Sequence, residues 1–146
     1  MDAASTGFDE EYTPPFPWCA VTLTDPLRMR AISTKGYIDT GSDGSIVPAE
    51  VGKGLNLLRY PLMRVETRGI GGKPEDRILY ATYVKVNDIE VAAVVDVRDD
   101  VDVVLLGRDV LQCMKITIDW KRKKVEAADP KDEPARTMNQ RKTLSP

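Results

Sequence analysis

The chain has 146 residues, 42% of them hydrophobic and 30% charged, with a formal net charge of -2 and no histidine. That length suits one domain with a real core and is short for two, and the near-balanced charge gives no global pull toward nucleic acid or anionic lipid. Without histidine, Ser-His-Asp and Cys-His catalysis in their usual form are excluded, as is any His-ligated zinc.

In chain order, residues 1–16 are acidic and lead into Pro17 through the proline-rich run Thr13-Pro14-Pro15-Phe16-Pro17. They read as a flexible lead with a stiff, extended end, with no apolar core of a signal peptide. Between 18 and 24, Val21 and Leu23 alternate with Thr22 and Thr24, the period of a half-buried strand. Asp25-Pro26 signals a turn. Leu27, Met29 and Ala31 alternate with Arg28 and Arg30 as a further strand, and the polar stretch 33–36 is expected to separate it from Tyr37-Ile38-Asp39. Ser45-Ile46-Val47 is a short strand, and Pro48 can open one helical turn that Gly52 and Gly54 stop. Residues 62–67 and 77–86 are strand-like around Gly69-Ile70-Gly71-Gly72, which predicts a hairpin. Asn87-Asp88 predicts a second, tight one. Residues 89–97 are valine-rich, and Val103-Val104-Leu105-Leu106 reads as a strand buried on both faces. In 109–114, Val110, Leu111 and Met114 share one face of the best predicted helix. Ile116 and Ile118 alternate in a strand, Lys121-Arg122-Lys123-Lys124 turns, Val125 follows, and 128–146 reads as a disordered tail. Cys19 and Cys113 lack CxxC spacing and read as reduced, buried thiols of a cytoplasmic protein. No apolar run approaches the ~20 residues of a membrane span. The pattern predicts an all-β barrel or sandwich with one helix.

Asp39-Thr40-Gly41-Ser42 sets a carboxylate, a hydroxyl and a glycine side by side after a strand. Three readings are open. It can be an ordinary turn, where Asp, Gly and Ser serve local hydrogen bonding. It can be a calcium loop, since Asp39, Asp43, Gly44, Ile46 and Glu50 fall at EF-hand spacing. Against that, Gly41 removes a ligand, Pro48 sits late in the loop, and a strand rather than a helix leads in. It can be a catalytic acid. Two carboxylates sharing a proton split their pKa values, so one activates water while the other protonates the substrate. A chain with one such Asp must borrow the second from a copy of itself, across a two-fold axis.

Five motifs in order carry a resemblance: Asp25-Pro26-Leu27, Ile38-Asp39-Thr40-Gly41-Ser42, Gly69-Ile70-Gly71-Gly72, Val104-Leu105-Leu106-Gly107-Arg108-Asp109, and Val110-Leu111 after it. The chain resembles the retropepsin-type aspartic proteases, the single-lobe homodimeric relatives of pepsin, over roughly 17–127. The resemblance implies a closed acid-protease barrel, a flap hairpin, one short C-terminal helix and a homodimer cleaving polypeptides with no cofactor and no metal. Asp39 would be catalytic, Thr40 would brace the two loops across the axis, and Gly41 would admit the substrate backbone. Ser42, Asp43 and the flap tip Gly69, Ile70, Gly71 and Gly72 would meet substrate. Gly107 and Arg108 would support the loop, with Arg108 paired to Asp43. Retroviral members often carry an arginine just before Pro-Leu for an intersubunit bridge; Asp25 stands there, so that bridge is expected to be absent. The pair 115–120 and 124–126 would supply the dimer sheet, with Trp120 near it. The alternative is a dimer of the same fold that binds peptides or scaffolds without cleaving; neither reading calls for nucleic acid or membrane.

Overall fold

A computed structural model of the chain describes residues 6–68 and 71–130. The protein is mostly β. In order come β1 (Thr6–Asp9), β2 (Phe16–Thr24), β3 (Ala31–Ile38), β4 (Ser45–Pro48), helix α1 (Ala49–Gly54) and a 3-10 turn at Leu57–Arg59. Then follow β5 (Pro61–Thr67), β6 (Glu75–Val86), β7 (Ile89–Arg98), β8 (Val104–Leu106), helix α2 (Arg108–Leu111), β9 (Lys115–Asp119) and β10 (Lys124–Ala128). One sheet runs β1-β2-β3-β8-β4-β7-β6-β5, and β6 pairs again with β2 from Thr22↔Lys85 to Thr24↔Tyr83, so the pairing returns to an earlier strand. β9 and β10 form their own two-stranded sheet.

The core follows from alternation. Cys19, Val21 and Leu23 of β2 are buried, with Val84 and Val86 of β6, Val95 of β7 and Leu106 of β8. Gly36 of β3 lies opposite them because nothing larger fits: a Cβ there would stand 2.7 Å from Val21 Cγ1 and 2.9 Å from Leu106 Cδ1. The β6–β7 turn has the tight form expected, with Val86 opposite Ile89 and Asn87 at φ 52°. Most consequential is β8. It runs parallel to β3, with Ile38 beside Leu106, and antiparallel to β4 through Ile46↔Leu105. The residues after β3 and after β8 therefore leave the sheet at the same place.

Several expectations need correction. Residues 27–30 are a loop, with Leu27 and Met29 at 67% and 77% exposure. The buried Asp25 carboxylate draws that loop tight by accepting the amides of Leu27 (3.1 Å) and Arg30 (2.5 Å). Residues 33–36 are strand: Ser33 faces out and its hydroxyl meets that of Thr22 at 2.9 Å, a polar cross-strand pair. Asp25 also lies at the far end of β3 from Asp39. Eight residues of strand, about 26 Å, separate the two ends. Part of the supposed flexible lead is β1, paired with β2 from Thr6↔Cys19 to Asp9↔Phe16. Among the described residues there are two short α-helices rather than one. In β8, Leu105 is only half buried. Both cysteines are free, but Cys113 is exposed; Cys19 is buried, which pushes its thiol up to about 11. Among the described residues no helix is long and apolar enough to cross a membrane.

Candidate active site

The turn at Asp39 is built by its own backbone. The Asp39 amide donates to the Leu106 carbonyl at 3.0 Å, extending the β3–β8 ladder by one step. The Ser42 amide then donates to the Asp39 carbonyl at 3.2 Å, and the Gly41 amide to Asp39 Oδ1 at 3.1 Å. Gly41 leaves room for that bond, since a Cβ there would press to 3.3 Å from the same oxygen. Asp39 is half buried, and its Oδ2 has no hydrogen-bond partner among the described residues, whereas Thr40 and Gly41 are exposed. The turn thus engages one Asp39 carboxylate oxygen and leaves the other outside its own hydrogen bonds.

A second layer locks the turn to the start of α2. The Arg108 amide donates to the Ser42 carbonyl at 2.8 Å, and the Ser42 hydroxyl to the Gly44 carbonyl at 2.6 Å. Ser45 is the buried hub. Its hydroxyl donates to Asp109 Oδ1 at 2.7 Å and accepts the Gly107 amide at 2.9 Å, while its amide donates to Asp109 Oδ2 at 3.2 Å. Gly107 passes so close that a Cβ would lie 2.4 Å from the Gly44 carbonyl oxygen. The expected Asp43–Arg108 ion pair is not formed among the described residues. Arg108 Nη1 donates to the Thr40 carbonyl at 2.9 Å instead, and Asp43 is left exposed. The brace is Asp109 with Ser45, two residues the sequence reading did not single out. The Gly107-Arg108-Asp109 run carries that acid next to the cation.

A cavity of about 730 Å³ opens beside the turn. Gly41 to Ile46 form one wall, Val65 to Arg68 and Leu79 of the β5–β6 hairpin another, and Val94, Asp96 and Arg98 of β7 a third. Ser42 and Asp43 are thus brought onto this cleft. Gly71, at φ 71° and with open space around its Cβ position, and Gly72 are exposed near the far end of the same hairpin. Gly69 and Ile70 lie outside the described residues. A second recess, about 690 Å³ and lined by Trp18, Lys35 and Tyr37 among others, includes no residue of the turn 39–44. The cleft carries a charge cluster that sequence reading missed. Asp96, on β7, meets Arg77 Nε at 3.0 Å and Arg98 Nη1 at 3.4 Å. The Asp96 hydrogen bond pushes the Arg77 guanidinium pKa up.

No protein-family model and no curated protein matches the chain. Solved structures do. A retropepsin-like aspartic protease from Rickettsia conorii aligns with 80% of this chain and 84% of its own, at 18% identity and a TM-score of 0.52. EIAV protease, complexed with an inhibitor, aligns with 66% of this chain and 86% of its own at 24% identity and a TM-score of 0.45. The protease of simian foamy virus (mac) aligns with 72% of this chain and 97% of its own at 20% identity and a TM-score of 0.45.

Proposed function

The fold is retropepsin-like, and from that premise we propose that the chain is an aspartic endopeptidase working as a homodimer, with one Asp39 from each copy. The observation that carries the reading is the Asp39 turn itself. It holds a half-buried carboxylate with one oxygen outside the turn's own hydrogen bonds, next to the Gly41–Ile46 wall of a cleft of about 730 Å³, and Ser45 of that wall is tied to Asp109. One carboxylate cannot act as acid and base in the same step. Two brought together across a two-fold axis share a proton, and the pair then activates water with one oxygen and protonates the leaving amine with another. In this reading the sheet closes as a barrel over 17–127. The hairpin of β5 and β6 is the flap, with Gly69, Ile70, Gly71 and Gly72 as its tip, folding over a polypeptide and expelling water. Ser42 and Asp43 meet the substrate backbone, and Thr40 contacts its counterpart across the axis. The β9–β10 hairpin, with Trp120 on its turn, supplies the dimer sheet. Two free cysteines suit a reducing compartment such as the cytoplasm.

The test is Asp39→Asn, which keeps size and hydrogen bonding and removes the titrating acid. Cleavage of a peptide library should fall by about 10²–10⁴-fold, the usual contribution of acid–base catalysis, with an unchanged melting curve. The wild-type rate should follow a bell-shaped, acid-leaning pH profile and be stopped by a statine-type transition-state mimic. Full activity in a folded Asp39→Asn chain would end the proposal. Peptide binding without cleavage by the wild type would favour a non-catalytic peptide-binding module.

A further inference from the structure

The β5–β6 hairpin leaves the sheet at a definite line. β6 pairs with β7 from Val86↔Ile89 to Leu79↔Asp96 and no further, while its pairing with β5 continues to Thr67↔Glu75. Residues 75–78 of β6 and their β5 partners are therefore a two-stranded arm. An isolated two-stranded hairpin is marginal in water, so the arm's direction depends on what holds it where it departs. Arg77 sits there, two residues past the last β6–β7 pair. Its side chain replaces the missing ladder bonds: Nε donates to Asp96 Oδ1 at 3.0 Å, and Nη2 to the Val97 carbonyl at 2.9 Å.

The anchor on β7 is itself held. Asp96 is 7% exposed, and its other oxygen accepts Arg98 Nη1 at 3.4 Å. Arg98 is gripped by Asp100 in two contacts of 2.8 and 2.9 Å, and it lies 4.0 Å from Glu75 of the arm. A planar guanidinium reaching a carboxylate and a carbonyl together fixes an angle, which one ammonium cannot do. Asp96 and Arg98 also line the cleft beside the Asp39 turn. The cluster therefore links the arm's departure point to the cleft floor.

We propose that Arg77, acting through Asp96, is a positioning residue that sets the angle of the β5–β6 arm over the cleft. The inference rests on the reading of that cleft as a peptide site. The test uses the full chain as Arg77→Ala and Arg77→Lys, followed by hydrogen exchange and by peptide-cleavage kinetics. In Arg77→Ala the amides of 64–67 and 75–78 should exchange about tenfold faster while those of β2 and β3 are unchanged. KM should rise about tenfold with kcat nearly constant, because a misdirected arm loses binding rather than chemistry. Arg77→Lys should fall between, since lysine restores the charge but not the fork. Unchanged arm exchange overturns the proposal. So does equal acceleration in the arm and in β2–β3, which would mean a stability role only, and so does a loosened arm with an unchanged KM. Exchange needs no substrate, so a wild type that cuts nothing counts against the protease reading while the exchange pattern still decides the clamp.

Discussion

Gly107 shows how little room the brace leaves. Its φ of -88° suits any residue, so the constraint is space and not backbone strain. An added methyl would meet the Gly44 carbonyl oxygen at 2.4 Å, its carbon at 2.6 Å and the Ser42 carbonyl oxygen at 3.0 Å, all backbone atoms of the segment that follows Asp39. Backbone cannot rotate away as a flexible side chain can. Gly107→Ala should therefore cost about 1–3 kcal/mol of stability, the usual penalty of overpacking, and displace the Asp39 turn. A thermal melt together with the peptide assay checks this, and an unchanged melting temperature would refute it. The Gly-Arg-Asp run was readable in the sequence as a motif, but the division of labour within it was not. Opposite charges at 43 and 108 invite pairing, yet a sequence states charge and not direction. Asp109 reaches the Ser45 hydroxyl and amide, while Arg108 reaches the Thr40 carbonyl.

The N-terminal strand is where sequence reading failed most, and the reason is that its contacts are remote. Four residues with no clear period, Thr6 to Asp9, find their partners in β2 and beyond. Phe8 meets the Trp120 ring edge-on at 5.1 Å, and Lys123 Nζ pairs with Glu10 at 2.5 Å. Tyr37 hydroxyl donates to Asp9 Oδ2 at 2.5 Å within a cluster of Tyr12, Phe16 and Tyr37. Turns with local chemistry were read correctly, as at Asn87, and 27–30 was misread because Leu27 and Met29 mimic a strand's period. The Asp9 contact has a pH sign. The Tyr37 hydrogen bond, then the Glu11 amide, holds the Asp9 carboxyl below its ordinary value. A lowered folded value means the contact favours the docked strand above the unfolded pKa of about 3.9 and is lost as pH falls through the folded one. β1 should thus stay docked through the mildly acid range and loosen only below it. Asp9→Ala should speed exchange of the 6–9 amides at neutral pH and erase the acid-induced step. If those amides exchange alike in both proteins at neutral pH, Asp9 does not hold the strand.

For the molecule as a whole, the strand pairing carries Asp39 to the place where β3 and β8 both end. β3 and β8 end together, the brace fixes the turn, and the hairpin walls the cleft, yet a proton-sharing pair needs a second acid at close range. Under the proposed mechanism the number of chains in the working unit follows from the need for that second acid. Subunit mixing tests that step directly. Wild-type and Asp39→Asn chains are unfolded together, refolded and assayed at a fixed amount of wild type. If two copies share one site, random pairing at equal amounts leaves about half of the wild-type chains in fully wild-type dimers, and the rate should fall to about half. A large excess of Asp39→Asn should extinguish it. A chain that works alone would keep its full rate at every ratio, because its site would owe nothing to its neighbour.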